Sequence, residues 1–222
     1  MTLYFGAGEQ RPIEKAEDLA GLLPPGREHH FRDGYSMAEA ARCWFAAQPN
    51  LPATVATLVG SPTLLRAHFE YPTRVWGGGT AMADVMAFIP GAVIAVEAKV
   101  NESFDRLVAD WVEAEAPTNP RSPPHRRRVI ARYAGALGVS EAALQGIRYQ
   151  LLQRTLGAAL TAGAVGLPAA WMIVQDLTYG RPGNHAANRM DFDRFVALVG
   201  STPVLEGIPV RLGWVDEPAL AG

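Results

Sequence analysis

The sequence predicts an α/β fold: a central mixed β-sheet flanked by helices. One observation is the order of local patterns, which runs helix, strands, helices, strand, helix, strand. A second is the pair of apolar β-type runs, Asp84–Ile89 and Ala92–Val100, joined by Pro90-Gly91 as a hairpin. The third is bulk composition. The chain has 222 residues, 49% of them hydrophobic and 19% charged, which suits one soluble globular domain with a sizeable core.

The elements follow in order. Residues 1–35 are rich in Gly, Pro and charge and read as an N-terminal arm, with one short helix near Ile13–Leu23. The domain proper is expected over residues 36–222. Ser36 opens a helix to about Ala47, with Met37, Ala40, Ala41 and Trp44 on its apolar side. Pro49 and Pro52 end it, and a second short helix follows Pro52. Arg66 to Trp76 alternates and reads as a strand, and Gly77–Gly79 as a flexible break. The segment from Glu113 to Arg128 turns to Pro, Asn and Ser and reads as a loop or flap. Helices are expected at about Arg127–Leu137 and Ser140–Ala162, with Ser140 as an N-cap. A buried strand at Trp171–Asp176, a helix from Asp191 to Val199 and a last strand at Ile208–Trp214 complete the pattern.

Net charge is −2, so any binding of nucleic acid must come from a local patch. The one cysteine, Cys43, excludes an intramolecular disulfide framework and fits a reducing, cytoplasmic setting. The apolar run from Thr155 to Val174 reaches the length of a membrane span. Gly157, Gly163, Gly166 and Pro168 within it point instead to a helix end, a turn and a buried strand.

Chemistry concentrates between Asp84 and Lys99. Side chains alternate along a strand, so Glu97 and Lys99 share a face, while Ile94, Val96, Ala98 and Val100 make the other face apolar. If Pro90 and Gly91 centre the hairpin, Ile89 faces Ala92 and counting outward puts Asp84 opposite Glu97. Two facing carboxylates repel unless a cation lies between them. Mg²⁺ (or Mn²⁺) suits such a pair, because it takes one or two carboxylates together with waters and phosphate oxygens. The backbone carbonyl of Ala98 is a further candidate ligand. Lys99 could orient the attacking water or offset charge on the phosphate. The chain has 18 arginines but only two lysines, Lys15 and Lys99, so a compact ammonium at position 99 stands out.

Asp84, twelve intervening residues, then Glu97-Ala98-Lys99 on a hairpin, followed by a helix carrying Gln150, resembles the PD-(D/E)XK nuclease superfamily. The resemblance covers roughly Ser36 to Asp176. It implies a restriction-endonuclease-like core and a Mg²⁺-dependent phosphodiesterase acting on DNA. Asp84 and Glu97 would bind the metal, Lys99 would be the catalytic lysine, and Gln150 would contact the site. Glu39 matches a glutamate that some families carry on the first helix. Ala83 stands where the motif has proline, and Arg154 stands where one exonuclease subgroup has tyrosine. A non-catalytic DNA-binding or accessory module of the same fold is the alternative.

Other residues carry two readings each. Glu39 also fits a capping box with Ser36, bonding back to the Ser36 amide. Glu70 is either a further carboxylate for the same metal or an edge charge. Arg126, Arg127 and Arg128, with Arg121 and Arg132, are either phosphate contacts or a solvated basic helix start. Gly77–Gly79 could let a backbone approach a phosphate or form a plain loop. The five histidines show no metal-ligand spacing. DNA is the expected partner, no membrane is, and oligomeric state stays open.

Overall fold

The hairpin about Pro90-Gly91 lies in the middle of an eight-stranded mixed sheet of order β2-β1-β3-β4-β5-β6-β8-β7. The computed structural model describes residues 3–6, 11–23, 31–114, 122–178 and 183–218. Its strands are β1 (Leu3–Phe5), β2 (Arg11–Ile13), β3 (Arg66–Val75), β4 (Gly79–Ile89), β5 (Ala92–Lys99), β6 (Ala169–Asp176), β7 (Val204–Leu205) and β8 (Ile208–Asp216). The helices are α1 (Ser36–Ala47), α2 (Ala53–Val59), α3 (Val108–Glu113), α4 (Pro123–Leu137), α5 (Glu141–Leu144), α6 (Tyr149–Ala164) and α7 (His185–Val199). Short 3₁₀ segments cover Ala16–Leu22 and Trp76–Gly78.

β3, β4 and β5 form an antiparallel meander, and β5, β6 and β8 run parallel. Parallel neighbours need crossover connections, supplied here by α3 to α6 between β5 and β6 and by α7 between β6 and β8. Every residue of β5 is buried, as a central strand covered on both faces requires. Met86, Phe88, Val93, Ala95, Met172 and Val174 point to the face that carries α4, α6 and α7. Val85, Ala87, Ile94, Val96 and Ile173 point to the other face, beneath α1 and α2.

Four expectations change. The N-terminal segment is part of the sheet: β1 runs parallel to β3, with Leu3 across from Ala67, and Leu3 and Ile13 are buried. A three-residue strand is too short for its alternation to stand out from Gly- and charge-rich surroundings. The expected loop from Glu113 to Arg128 holds the end of α3 and the start of α4, because Pro123 and Pro124 occupy the first helical turn, where a missing amide costs nothing. Residues 115–121 lie outside the described residues. The helix expected over Ser140–Ala162 is two helices. Ser140 does cap the first, accepting from the Ala143 amide at 3.1 Å. The chain then leaves the helix so that Arg148 can bridge to Leu107, with Val108 donating to the Ile147 carbonyl. α7 also begins at His185, six residues before the expected Asp191.

The run from Thr155 to Val174 is the end of α6, a turn and β6. Among the described residues no helix is long and apolar enough to cross a membrane.

On the α1 face a buried polar chain fastens the helices to the sheet. Trp44 Nε1 donates to Gln175 Oε1 at 2.9 Å, and Gln175 Nε2 donates to Glu217 Oε1 at 2.8 Å. Thr54 of α2 donates to the same carboxylate. Gln175 is fully buried on β6. Replacing Gln175 by Leu strands the Trp44 donor and one face of Glu217. Chemical denaturation should show a loss of at least about 2 kcal/mol, since each stranded buried group costs about 1–3 kcal/mol.

Candidate functional site

The strand period decides which residues meet at the end of β4 and β5. Asp84 follows Met86 and Phe88, and Glu97 and Lys99 follow Val93 and Ala95, on the α6 face. The β4–β5 register pairs Ile89 with Ala92 and continues to Val85 with Val96. Gly91 has φ +78°, as the third residue of a type II turn needs. The next step of that count sets Asp84 against Glu97, and there the ladder stops. Asp84 Oδ2 instead accepts from the Ala98 amide at 2.7 Å, so a carboxylate replaces the backbone partner.

On the other side of β4 the ladder is interrupted at the same level. Phe69 pairs with Val85 and Tyr71 with Ala83, and Glu70, between them, has φ +50°. A left-handed backbone is costly for glutamate and marks a place where the strand is held out of regular pairing. Asp84 therefore sits where both neighbouring strands release it.

α6 supplies the rest. Gln150 and Arg154 are four residues apart and so share a helix face. Both reach Glu97: Gln150 Nε2 donates to Oε1 at 2.7 Å, and Arg154 Nε donates to Oε2. Lys99 Nζ lies 2.8 Å from Glu97 Oε1 and 3.3 Å from Gln150 Oε1, and stands 5.0 Å from the Phe104 ring centre. Gln150 Oε1 also accepts from the Asp105 amide at 3.2 Å. Glu97 and Lys99 are 2% and 3% exposed, and Arg154 is 8% exposed. Further along the same helix face, Gly157 packs against Thr73 and Thr161 Oγ1 meets Thr73 Oγ1 at 3.2 Å, so α6 lies close on the sheet.

The two carboxyls titrate in opposite directions. Burial, reinforced by Glu97 and Glu70 and opposed by Arg154 and Lys99, pushes the Asp84 carboxyl well above the usual range. Burial acts the same way on Glu97, but Arg154 and Lys99 together outweigh it and hold this carboxylate below its usual value. From the sequence, the counter-charge for the facing carboxylates is either a metal or Lys99, paired with Glu97 as a structural ion pair. The fold supplies Arg154, which the sequence marked only as a departure from a pattern. Its position four residues after Gln150 was the available signal.

The donor set accommodates one divalent cation. Three donors on Glu97 leave about one of its four acceptor positions open. Asp84 is only partly buried, so its carboxyl is open to a cation.

Other candidate residues lie elsewhere. Glu39 is on α1, beneath the opposite sheet face, where it accepts from the Gly34 amide at 2.9 Å and pairs with Arg42 at 3.2 Å. It therefore joins neither the acidic pair nor a capping box with Ser36, because Tyr35 is the N-cap and Ser36 the first helical residue. Arg126 is also corrected as a phosphate contact. It is 2% exposed and donates to the carbonyls of Trp111, Val112 and Ala114, closing the C-terminal end of α3. Starting α4 at Pro123 turns this residue inward. Arg127 and Arg128 are exposed on α4, Arg127 paired with Glu113 at 2.6 Å, and Arg132 pairs with Glu206. Arg121 lies outside the described residues. Gly77, at φ +80°, makes room for Val129, whose Cγ2 would lie 2.7 Å from an added Cβ. Glu70 adds a negative field at both Asp84 and Arg154.

One histidine meets two carboxylates through the fold and not through sequence spacing. Asp176, His185 and Asp216 bring one ligand atom each within 4.8 Å of one another. They come from three elements, and no short spacing announces them.

The Asp84 carboxyl gives a pH signature. Its folded pKa is raised, so the folded chain keeps a proton that the unfolded chain gives up at about 3.9. The stability tied to that proton is complete below the unfolded value and is lost as pH rises toward the folded value. Asp84→Asn removes the loss while keeping an acceptor for the Ala98 amide. Thermal melts in chelator from about pH 4 to 8 should show the variant gaining on wild type as pH rises. A difference constant with pH would contradict this assignment.

No curated protein and no solved structure matches the chain. A family match covers residues 12–219, nearly the whole chain, and its description is a domain of unknown function. The chain belongs to that family, DUF6946.

Proposed function

We propose that this protein is a metal-dependent phosphodiesterase acting on DNA, with Asp84, Glu97, Lys99 and Gln150 as its working residues. The observation that carries this reading is the convergence of two carboxylates and a buried lysine at the point where β4 parts from β5. Mg²⁺ or Mn²⁺ would be held by Asp84, by the open position on Glu97 and by the Ala98 carbonyl, and would supply Lewis acidity toward a phosphate oxygen.

The chain's own residues have separable tasks. Lys99 carries a compact positive charge fixed by Glu97 and Gln150, positioned to orient a water or offset charge on the phosphate. Gln150 locks that ammonium by giving its amide N–H to Glu97 and its oxygen to Lys99. Arg154 neutralises the far side of Glu97, so the buried carboxylate keeps its charge without a cation. Arg127 and Arg128 are the exposed members of the basic helix start for the DNA backbone. A cytoplasmic location agrees with the single buried Cys43.

A second reading has its own support. Glu97 is already satisfied by Lys99, Gln150 and Arg154, as a purely structural cluster would be. In that case the domain binds DNA without cutting it. Incubation of the full chain with plasmid and linear DNA, with Mg²⁺ or Mn²⁺ and with chelator, separates the two. The enzyme reading expects metal-dependent cleavage that Asp84→Asn lowers at least about 100-fold, with the variant still folded. Intact DNA under every metal condition, with binding retained, supports the non-catalytic reading.

A further inference from the structure

We propose that Asp176, His185 and Asp216 form a second divalent-cation site, suited to Zn²⁺ and independent of the acidic pair. β6 and β8 run parallel with Asp176 directly across from Asp216. Both side chains take the α6 face, in the series that continues Met172 and Val174 on β6 and Leu212 and Trp214 on β8. Lys99 is paired with Asp176 from the other side, so the cluster lies one strand beyond the β5 residues. His185, the first residue of α7, lies over the two carboxylates. Its Nδ1 is 2.7 Å from Asp176 Oδ2 and 3.8 Å from Asp216 Oδ1.

Asp176 is held from behind, and Asp216 and His185 each touch Trp214. Asp176 is 2% exposed, and its Oδ1 accepts from the Thr178 amide at 2.9 Å and the Thr178 hydroxyl at 2.6 Å. That leaves Oδ2 directed at His185. Asp216 Oδ1 accepts from Trp214 Nε1 at 2.8 Å. The His185 ring stands edge-on to the Trp214 indole, with centres 5.9 Å apart and planes at 82°. Outer contacts of this kind orient ligands in metal sites.

The charges also leave room for a cation. Among the described residues, the ion pairs of Asp176 and Asp216 are with His185 alone. Among the described residues no Arg or Lys forms an ion pair with either carboxylate, as Arg154 and Lys99 do with Glu97. One imidazole nitrogen with two carboxylate oxygens is a donor set that Zn²⁺ accepts, and three protein ligands leave a position for water. The cation would lie between His185 Nδ1 and the two carboxylates. His185 and Asp216 have side chains 43% and 63% exposed, which gives an ion a path in and makes both safe to substitute.

Calorimetric titration of the full chain with ZnCl₂ tests the site, using Asp84→Asn so that the acidic pair is disabled. One Zn²⁺ should bind. Adding His185→Ala or Asp216→Asn should each weaken binding at least about tenfold, the scale on which metal sites lose affinity when a supporting group is removed. Co²⁺ in place of Zn²⁺ should give visible d–d absorption that His185→Ala abolishes, and circular dichroism should show each variant folded. Failure to take up Zn²⁺, or an affinity that survives either substitution, overturns the site and leaves Asp176 and His185 a hydrogen-bonded pair.

Discussion

One buried carboxylate organises this molecule. Glu97 lies on the central strand with almost no solvent contact, and a bare charge there would be prohibitive. Lys99 from the same strand and Arg154 from α6 make it tolerable, with Gln150 filling the remaining gap. The arrangement is interdependent. Removing one member of a buried pair typically costs about 3–5 kcal/mol, because the other is left charged and alone. Glu97 thus fixes where α6 crosses the sheet, and α6 in turn fixes the Lys99 ammonium.

Asp84 is the member left without a full counter-charge. Arg154 and Lys99 are spent mainly on Glu97, and Glu70 adds another negative field from β3. The same structure therefore shifts the two carboxyls in opposite directions, Asp84 upward and Glu97 downward. Under the proposed function a divalent cation would compete with the proton at Asp84. The polar band continues across the ends of β5, β6 and β8 through Lys99, Asp176 and Asp216, all on the α6 face. Ligands of open α/β sheets collect at the carboxyl ends of parallel strands, where side chains emerge from the covered region.

Much of this was legible in the chain. Strand periodicity put Glu97 and Lys99 on one face, and the Pro90-Gly91 turn carried the register to Asp84, because both depend on near-neighbour geometry. What escaped reading depends on tertiary contact. Arg154 looks like any exposed helix residue until the helix is set on the sheet. Arg126 reads as basic surface until α4 begins at Pro123 and turns it toward the end of α3. Asp176, His185 and Asp216 are joined by a parallel crossover, and a parallel crossover has no local register to count. The left-handed Glu70 was invisible because nothing in Phe69-Glu70-Tyr71 marks a non-glycine residue at positive φ.

The central proposal is that a divalent cation binds at Asp84. Its most direct measurement is the shift in melting temperature on adding Mg²⁺, taken near neutral pH in a His185→Ala background so that the second cluster does not contribute. The account predicts that Mg²⁺ raises the melting temperature by mass action on the folded state, and that adding Asp84→Asn removes the shift without lowering the melt in chelator. An equal Mg²⁺ shift with and without Asp84→Asn, or no shift in either, would contradict it.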